Sequence, residues 1–160
     1  MAAEYHFISE WHVKATAQEV AEVLGDAEGL ARWWPSVYLQ VKVLEPGNPV
    51  THVGRKVDLH TRGRLPYTLR WSFIVTESKG AAGFKLAADG DFVGTGEWTF
   101  TPDGEHVNIR YDWRIRADKP LLRYGTFVLR PFFSANHRWA MARGEESLKA
   151  ELERRHAISR

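Results

Sequence analysis

The sequence contains no cysteine and only two methionines among 160 residues. Without thiols there are no disulfides, thiolate metal centres or cysteine nucleophiles, a composition compatible with a reducing compartment. Nor is there an apolar run of roughly 18 residues, the length a helix needs to cross a bilayer, so no stable membrane insertion is expected. The opening MAAEYHFISEWHV breaks its apolar residues with charge and has no signal-peptide core, which points to a cytoplasmic location. Charge of one sign is not in excess either: the formal net charge is +2, and Lys and Arg are dispersed, densest at 110–116 and at the C-terminus. A nucleic-acid partner is therefore not expected. The chain has no H-E-x-x-H, no G-x-S-x-G and no phosphate-cradling loop, and Gly90, Gly94 and Gly96 sit in a strand rather than before a helix. His6, Glu10 and His12 share a face, but on the solvent side of the first strand, so neither a metal nor a cofactor is expected.

What the chain does hold is aromatic mass. Aromatic residues make up 12% of it, including seven tryptophans, within a hydrophobic fraction of 44%. Side chains of that size must be buried, and a chain of this length buries about 70% of its unfolded surface, ample for one core. Tyr5, Phe7, Ser9, Trp11 and Val13 alternate with His6, Ile8, Glu10 and His12, the two-residue period of a strand over 4–13. Thr16, with Glu19 three residues on, makes a capping box, and Val20, Val23 and Leu24 follow at helical spacing until Gly25. AEGLARWW forms a second short helix that Pro35 ends, because the residue before proline is pushed out of the helical region. Six further strands carry the faces Val37–Leu39–Val41–Val43, Val53–Arg55–Val57–Leu59, Tyr67–Leu69–Trp71–Phe73–Val75, Phe84–Leu86–Ala88, Phe92–Gly94–Gly96–Trp98–Phe100 and Val107–Ile109–Tyr111–Trp113–Ile115. PGNP, GRLP, SKGAAG, ADGD and TPDGE separate them as turns.

After Pro120 the period changes to about 3.6. Phe133, His137, Ala140, Met141, Gly144, Leu148 and Leu152 form one stripe, while Arg138, Arg143, Glu146, Lys149 and Glu153 fall mostly off it. Seven antiparallel strands with helices segregated to one side make an α+β fold, whose sheet can bury its apolar face only against this last helix. No repeat, low-complexity tract or linker divides the chain, so residues 1–160 read as one domain.

The order strand, two short helices, six strands and long helix resembles the START-like helix-grip superfamily (SRPBCC). Ala31-Arg32-Trp33-Trp34-Pro35, the segment GDFVGTGEW from Gly90 to Trp98, and Tyr111-Asp112-Trp113 look like its bacterial polyketide cyclase/dehydrase-like branch. Arg130-Pro131-Phe132-Phe133, followed by Asn136-His137, Met141 and Gly144-Glu145, looks like the final helix of that branch. The resemblance covers nearly the whole chain. It implies a helix-grip fold, in which a seven-stranded curved antiparallel sheet and two short helices wrap the long C-terminal helix around a cavity with apolar contents. It transfers no catalytic set, because the superfamily includes carriers, hormone receptors, cyclases, hydrolases and chaperone activators on one scaffold.

Trp71, Phe73, Trp98, Phe100, Tyr111 and Trp113 on the strands, with Phe133, His137 and Met141 on the helix, are the candidate ligand-binding residues. Tyr67, Tyr111, Arg55, His137 and Asn136 are the polar groups available to orient a ligand. Taken singly, each aromatic reads as core; their collective excess points to a cavity for a flat apolar molecule. His137, Tyr111 and Arg55 are the candidate catalytic residues. His137 is either a general acid or base whose pKa burial lowers, or a buried histidine held by a backbone carbonyl, Asp112 or Asp58. Arg55, in register with Val57 and Leu59, points inward to bind a carboxylate or phenolate, or else snorkels to the rim. Asn136 should turn toward a loop, and Glu97 toward solvent.

Three functions fit. The first is a protein that binds a hydrophobic small molecule, aromatic polyketide-like or lipid-like, as a monomer or homodimer. The second is a polyketide cyclase or aromatase, in which proximity supplies most of the rate and Tyr111, Arg55 or His137 handles protons. The third is a protein-interaction module using an exposed sheet edge or the Trp33-Trp34 loop, although tandem tryptophans before a proline serve equally as a lid over the cavity mouth.

Overall fold

The computed structural model describes residues 3–63, 68–117 and 126–158, the side chains of 3, 117, 126–130, 132 and 133 excepted. Strand β1 (Ala3–Lys14) leads into helix α1 (Ala17–Gly25). Thr16 caps α1: its hydroxyl accepts the Glu19 N–H, and the Glu19 carboxylate accepts the Thr16 N–H, the expected capping box. A 3-10 turn (Ala27–Gly29) precedes helix α2 (Leu30–Trp33), which ends at Trp34, ahead of Pro35.

Six strands follow: β2 (Tyr38–Glu45), β3 (Lys56–Arg62), β4 (Thr68–Ser78), β5 (Gly83–Gly90), β6 (Phe92–Asp103) and β7 (His106–Ala117). They form one seven-stranded antiparallel sheet in the order β1-β7-β6-β5-β4-β3-β2. The first strand thus closes against the last, and the sequence from β2 to β7 is a simple meander. The alternation on β4, β6 and β7 holds: Leu69, Trp71, Phe73, Val75, Trp98, Phe100 and the Val107-to-Ile115 face are buried. Glu97 lies on the other face, between Lys79 and Lys85.

Two expected faces are corrected. In β2 a register shift between Tyr38 and Gln40 reverses the parity, so Tyr38 turns inward with Val41 and Val43 while Leu39 is exposed. On the next segment the strand begins only at Lys56, after a turn in which His52 and Gly54 both have positive φ. Val53 is therefore exposed, and Arg55 stands outside the strand. Of the predicted turn at 63–66 only Gly63 is described; 64–66 and Tyr67 lie outside the described residues.

Helix α3 (Thr126–Ile158) has 33 residues, about 50 Å at 1.5 Å per residue. Met141, Leu148 and Leu152 of its predicted stripe are buried, and Gly144 is buried between them. A Cβ on Gly144 would stand 2.3 Å from Trp34 Cζ2, so the missing side chain lets the indole edge lie on the helix. Polar ties fix α3 to the rest: Arg32 of α2 donates to Glu151, His156 pairs with Glu19, and Glu145 accepts the His12 N–H. Among the described residues no helix is long and apolar enough to cross a membrane.

Candidate functional site

The inner face of β6 reads Phe92, Gly94, Gly96, Trp98, Phe100, so two successive inward positions carry no side chain. In the register Gly96 faces Trp113 and Trp98 faces Tyr111 on β7. A Cβ on Gly96 would lie 2.8 Å from the Tyr111 hydroxyl and 3.1 Å from both Leu86 and Trp113. Against this side-chain-free stretch of strand planar rings stack: Trp98 on Tyr111 at 4.0 Å and Tyr111 on Trp113 at 5.6 Å, with Trp71 tilted against Trp113 at 5.5 Å. Rigid rings cannot interdigitate as branched aliphatics do, and a chamber of about 90 Å³ remains.

Trp71, Trp98, Tyr111, Trp113, His137 and Met141 wall this chamber, together with Phe7, Trp34 and Tyr38. His137 stacks on Phe7 at 4.2 Å. Its Nε2 is buried and has no hydrogen-bond partner among the described residues. Burial lowers its pKa to about 4, so the imidazole is neutral near pH 7. The Tyr111 phenol is pushed well above its ordinary value, first by burial and then by the neighbouring Tyr38, so it stays a hydrogen-bonding O–H. Trp71 Nε1 donates to Thr61 Oγ1 at 3.1 Å, whereas the buried Trp34 Nε1 has no partner among the described residues. Arg62 and Asn136 stand on the same wall, the latter beside Gly63 of the loop after β3.

The chain matches the model of the polyketide cyclase / dehydrase and lipid transport family over residues 6–153. It belongs to that family. Solved structures confirm the family's helix-grip fold here. A START superfamily protein of Mycobacterium smegmatis superposes with a TM-score of 0.72 at 15% identity, over 93% of this chain and 97% of its own. The Zhui aromatase/cyclase of Streptomyces sp. R1128 gives a TM-score of 0.70 at 24% identity, covering 96% of each chain. A protein of Thermus thermophilus gives 0.70 at 18% identity, over 92% of this chain and 99% of its own. None of the curated proteins matches the chain in sequence.

Within this family member, not every expected residue meets at the chamber. Phe73 instead walls two neighbouring voids, and Phe100 is buried at 2% exposure against Trp98 and Phe84. Phe133 lies outside the described side chains. Arg55 is away from the chamber, with Nε donating to the Pro46 carbonyl and Nη1 to the Gly25 carbonyl, both at 3.1 Å. Asp112 does not hold His137; it faces outward and pairs with His6 at 2.8 Å. Phe7 and Tyr38 were not anticipated on the wall, whereas Trp34 belongs to the tandem pair that the sequence also allows as a lid over the cavity. Phe7 shares the inward parity of Tyr5 and Trp11 and was legible on that ground, whereas Tyr38 is hidden by the bulge.

Proposed function

We propose that this family member binds a flat, largely apolar small molecule in the chamber beneath His137. The observation that carries the reading is the Nε2 of His137, which has no hydrogen-bond partner among the described residues and is buried on a wall rich in aromatic rings. A buried polar atom left unpaired costs about 1–3 kcal/mol, a cost that a ligand hydroxyl or carbonyl would remove. Stacking on Trp98, Tyr111 and Trp113 supplies affinity at about 25 cal/mol per Å² of apolar surface covered. The Tyr111 hydroxyl and the Trp34 N–H are the further orienting groups.

Binding is favoured over catalysis by the state of the histidine. A general base works best with a pKa near the working pH, and an imidazole held at about 4 is a weak one. The cyclase reading rests on the same His137 and Tyr111 and would need a ligand to raise that value. The interaction-module reading loses its tandem tryptophans, since Trp33 and Trp34 are 6% and 3% exposed.

Titration of the purified protein with naphthalene and with naphthol, followed by tryptophan fluorescence, tests the proposal. Both should quench, and His137→Leu should weaken naphthol about tenfold while leaving naphthalene nearly unchanged. Absence of quenching by either compound, with no metabolite released on organic extraction, would mean that the aromatics only fill the core.

A further inference from the structure

The chamber under His137 is small beside the roughly 300 Å³ at which ordinary ligand pockets begin. It is not isolated, however. A void of about 30 Å³ shares Trp34, Tyr38, Trp71, Trp98 and Tyr111 with it. That void in turn shares Leu24, Phe73 and Phe84 with a third space of about 300 Å³. The third space opens between α1, the segment before β3 and the turn joining β4 to β5. The three are therefore joined in series, with the chamber that Asn136 borders at one end and the space beside α1 at the other, and the partitions are side chains that line both neighbours.

We propose that this row is one tract with a second mouth beside α1, and that it takes an elongated amphipath whose acidic head rests at Arg55. This deepens the binding function proposed above and rests on it. Three features of the far mouth support it. First, its lining includes the small residues Ala21, Gly25, Gly80 and Ala81, leaving room that larger side chains would close. Second, the Arg55 guanidinium is held in place through Nε and Nη1, and among the described residues nothing occupies the Nη2 edge, which can meet a carboxylate. Glu22, the acidic group on the same wall, accepts from the Gln18 amide at 3.2 Å. Third, His52 holds a positive φ of 67°, a conformation uncommon outside glycine, and so places its ring at the mouth beside Gly25. The chain of the ligand would pass Leu24, Phe73 and Phe84, a wholly apolar throat.

Saturated carboxylates of increasing length, titrated by calorimetry, read this directly. Each added methylene that enters an apolar tract should tighten binding about fourfold, and the climb should continue beyond lengths that fill the His137 chamber. An alcohol of equal length should bind about tenfold more weakly than the carboxylate. Ala21→Trp, which fills the far mouth, should abolish the gain for long chains and leave naphthol unaffected. Because the chain has no cysteine, Ala81→Cys supplies an independent reading: a saturating long-chain carboxylate should slow its alkylation, and naphthol should not. Naphthol binding with no length dependence and no protection of Cys at 81 would overturn the tract while leaving the first chamber standing. Equal affinity of acid and alcohol would overturn the role of Arg55. Failure of naphthol and every carboxylate to bind would overturn both proposals together.

Discussion

Helix α3 meets two different interiors along its length. In its C-terminal half Leu148 and Leu152 are 0% and 1% exposed, within the same core as Val13, Val20, Val23 and Val107, none more than 1% exposed. In the half that carries His137 and Ala140 the helix is only part-buried and forms one wall of a chamber. The difference follows from residue type. Leucine and valine have branched, compact side chains that interlock at close to crystal density. Tryptophan and tyrosine present flat faces, and on β6 the missing side chain of Gly96 lets the Tyr111 hydroxyl, Leu86 and Trp113 press close to the strand. A single stripe with one helical period thus serves as a sealed wedge at one end and as the lid of a void at the other, with Trp34 on Gly144 at the junction.

Truncation should separate the two ends most widely. Leu148→Ala is expected to cost about 2–5 kcal/mol, because no neighbour can close a void in a sealed region. Met141→Ala should cost about 2 kcal/mol, the low end of that range, since the residue already borders free space and its flexible chain holds fewer contacts. Urea unfolding of both variants measures this, and equal losses would mean that the chamber is closed in solution. The hollow end should also be the acid-sensitive one. His137 titrates near 4 when folded and near 6.5 when unfolded, so below 6.5 the unfolded chain takes up the proton first. Stability should therefore fall as pH drops from about 6.5 to about 4, by about 3 kcal/mol in total, and level off below. His137→Leu should flatten that limb, and an unchanged slope would place the acid sensitivity elsewhere.

How far this contrast can be read from residues alone depends on the regularity of each element. The inward faces of β4, β6 and β7 were legible because antiparallel pairing preserves a strict two-residue period over 11 or 12 residues. The capping box at Thr16 and Glu19 was legible because it is local chemistry. Tyr38 was not, since one bulge residue reverses every side chain beyond it, and nothing in YLQVKVLE marks where the shift falls. Arg55 kept the parity of Val57 but lost the strand: positive φ at His52 and Gly54 turns the chain just before Lys56. For His137 the sequence offers a backbone carbonyl, Asp112 or Asp58 as partner. Asp112 lies at an outward position of β7, so strand parity excludes it.

At the junction Gly144→Ala sets helix propensity against a clash. Alanine gains about 1 kcal/mol over glycine in a helix interior, but its Cβ would stand 2.3 Å from the Trp34 ring. The ring must shift, and overpacking of this kind costs about 1–3 kcal/mol. A net loss is expected, accompanied by a change in Trp34 fluorescence. A net gain would show that the indole has room to retreat into the chamber.

A comparably small effect is expected from the charges that border the sealed end. Glu151 has a side chain only 3% exposed and accepts from Arg32, Arg154 and Arg155. Hydrogen bonding from Arg154 first, then from Arg155 and Arg32, holds its pKa near 2 against the burial that opposes it. Because the folded value lies below the ordinary 4.5, the stability this group contributes is present above pH 4.5 and is lost as pH falls toward 2. That window lies mostly below the one belonging to His137, so the two can be resolved in a single pH series. The arginine partners at 32 and 154 are about half exposed, so water and salt screen the pairs and Glu151→Gln should cost only about 1–2 kcal/mol at pH 7. If the loss instead approached that of Leu148→Ala and persisted in 1 M salt, a screening concentration, the sealed end would owe its stability to charge rather than to interlocked aliphatic side chains.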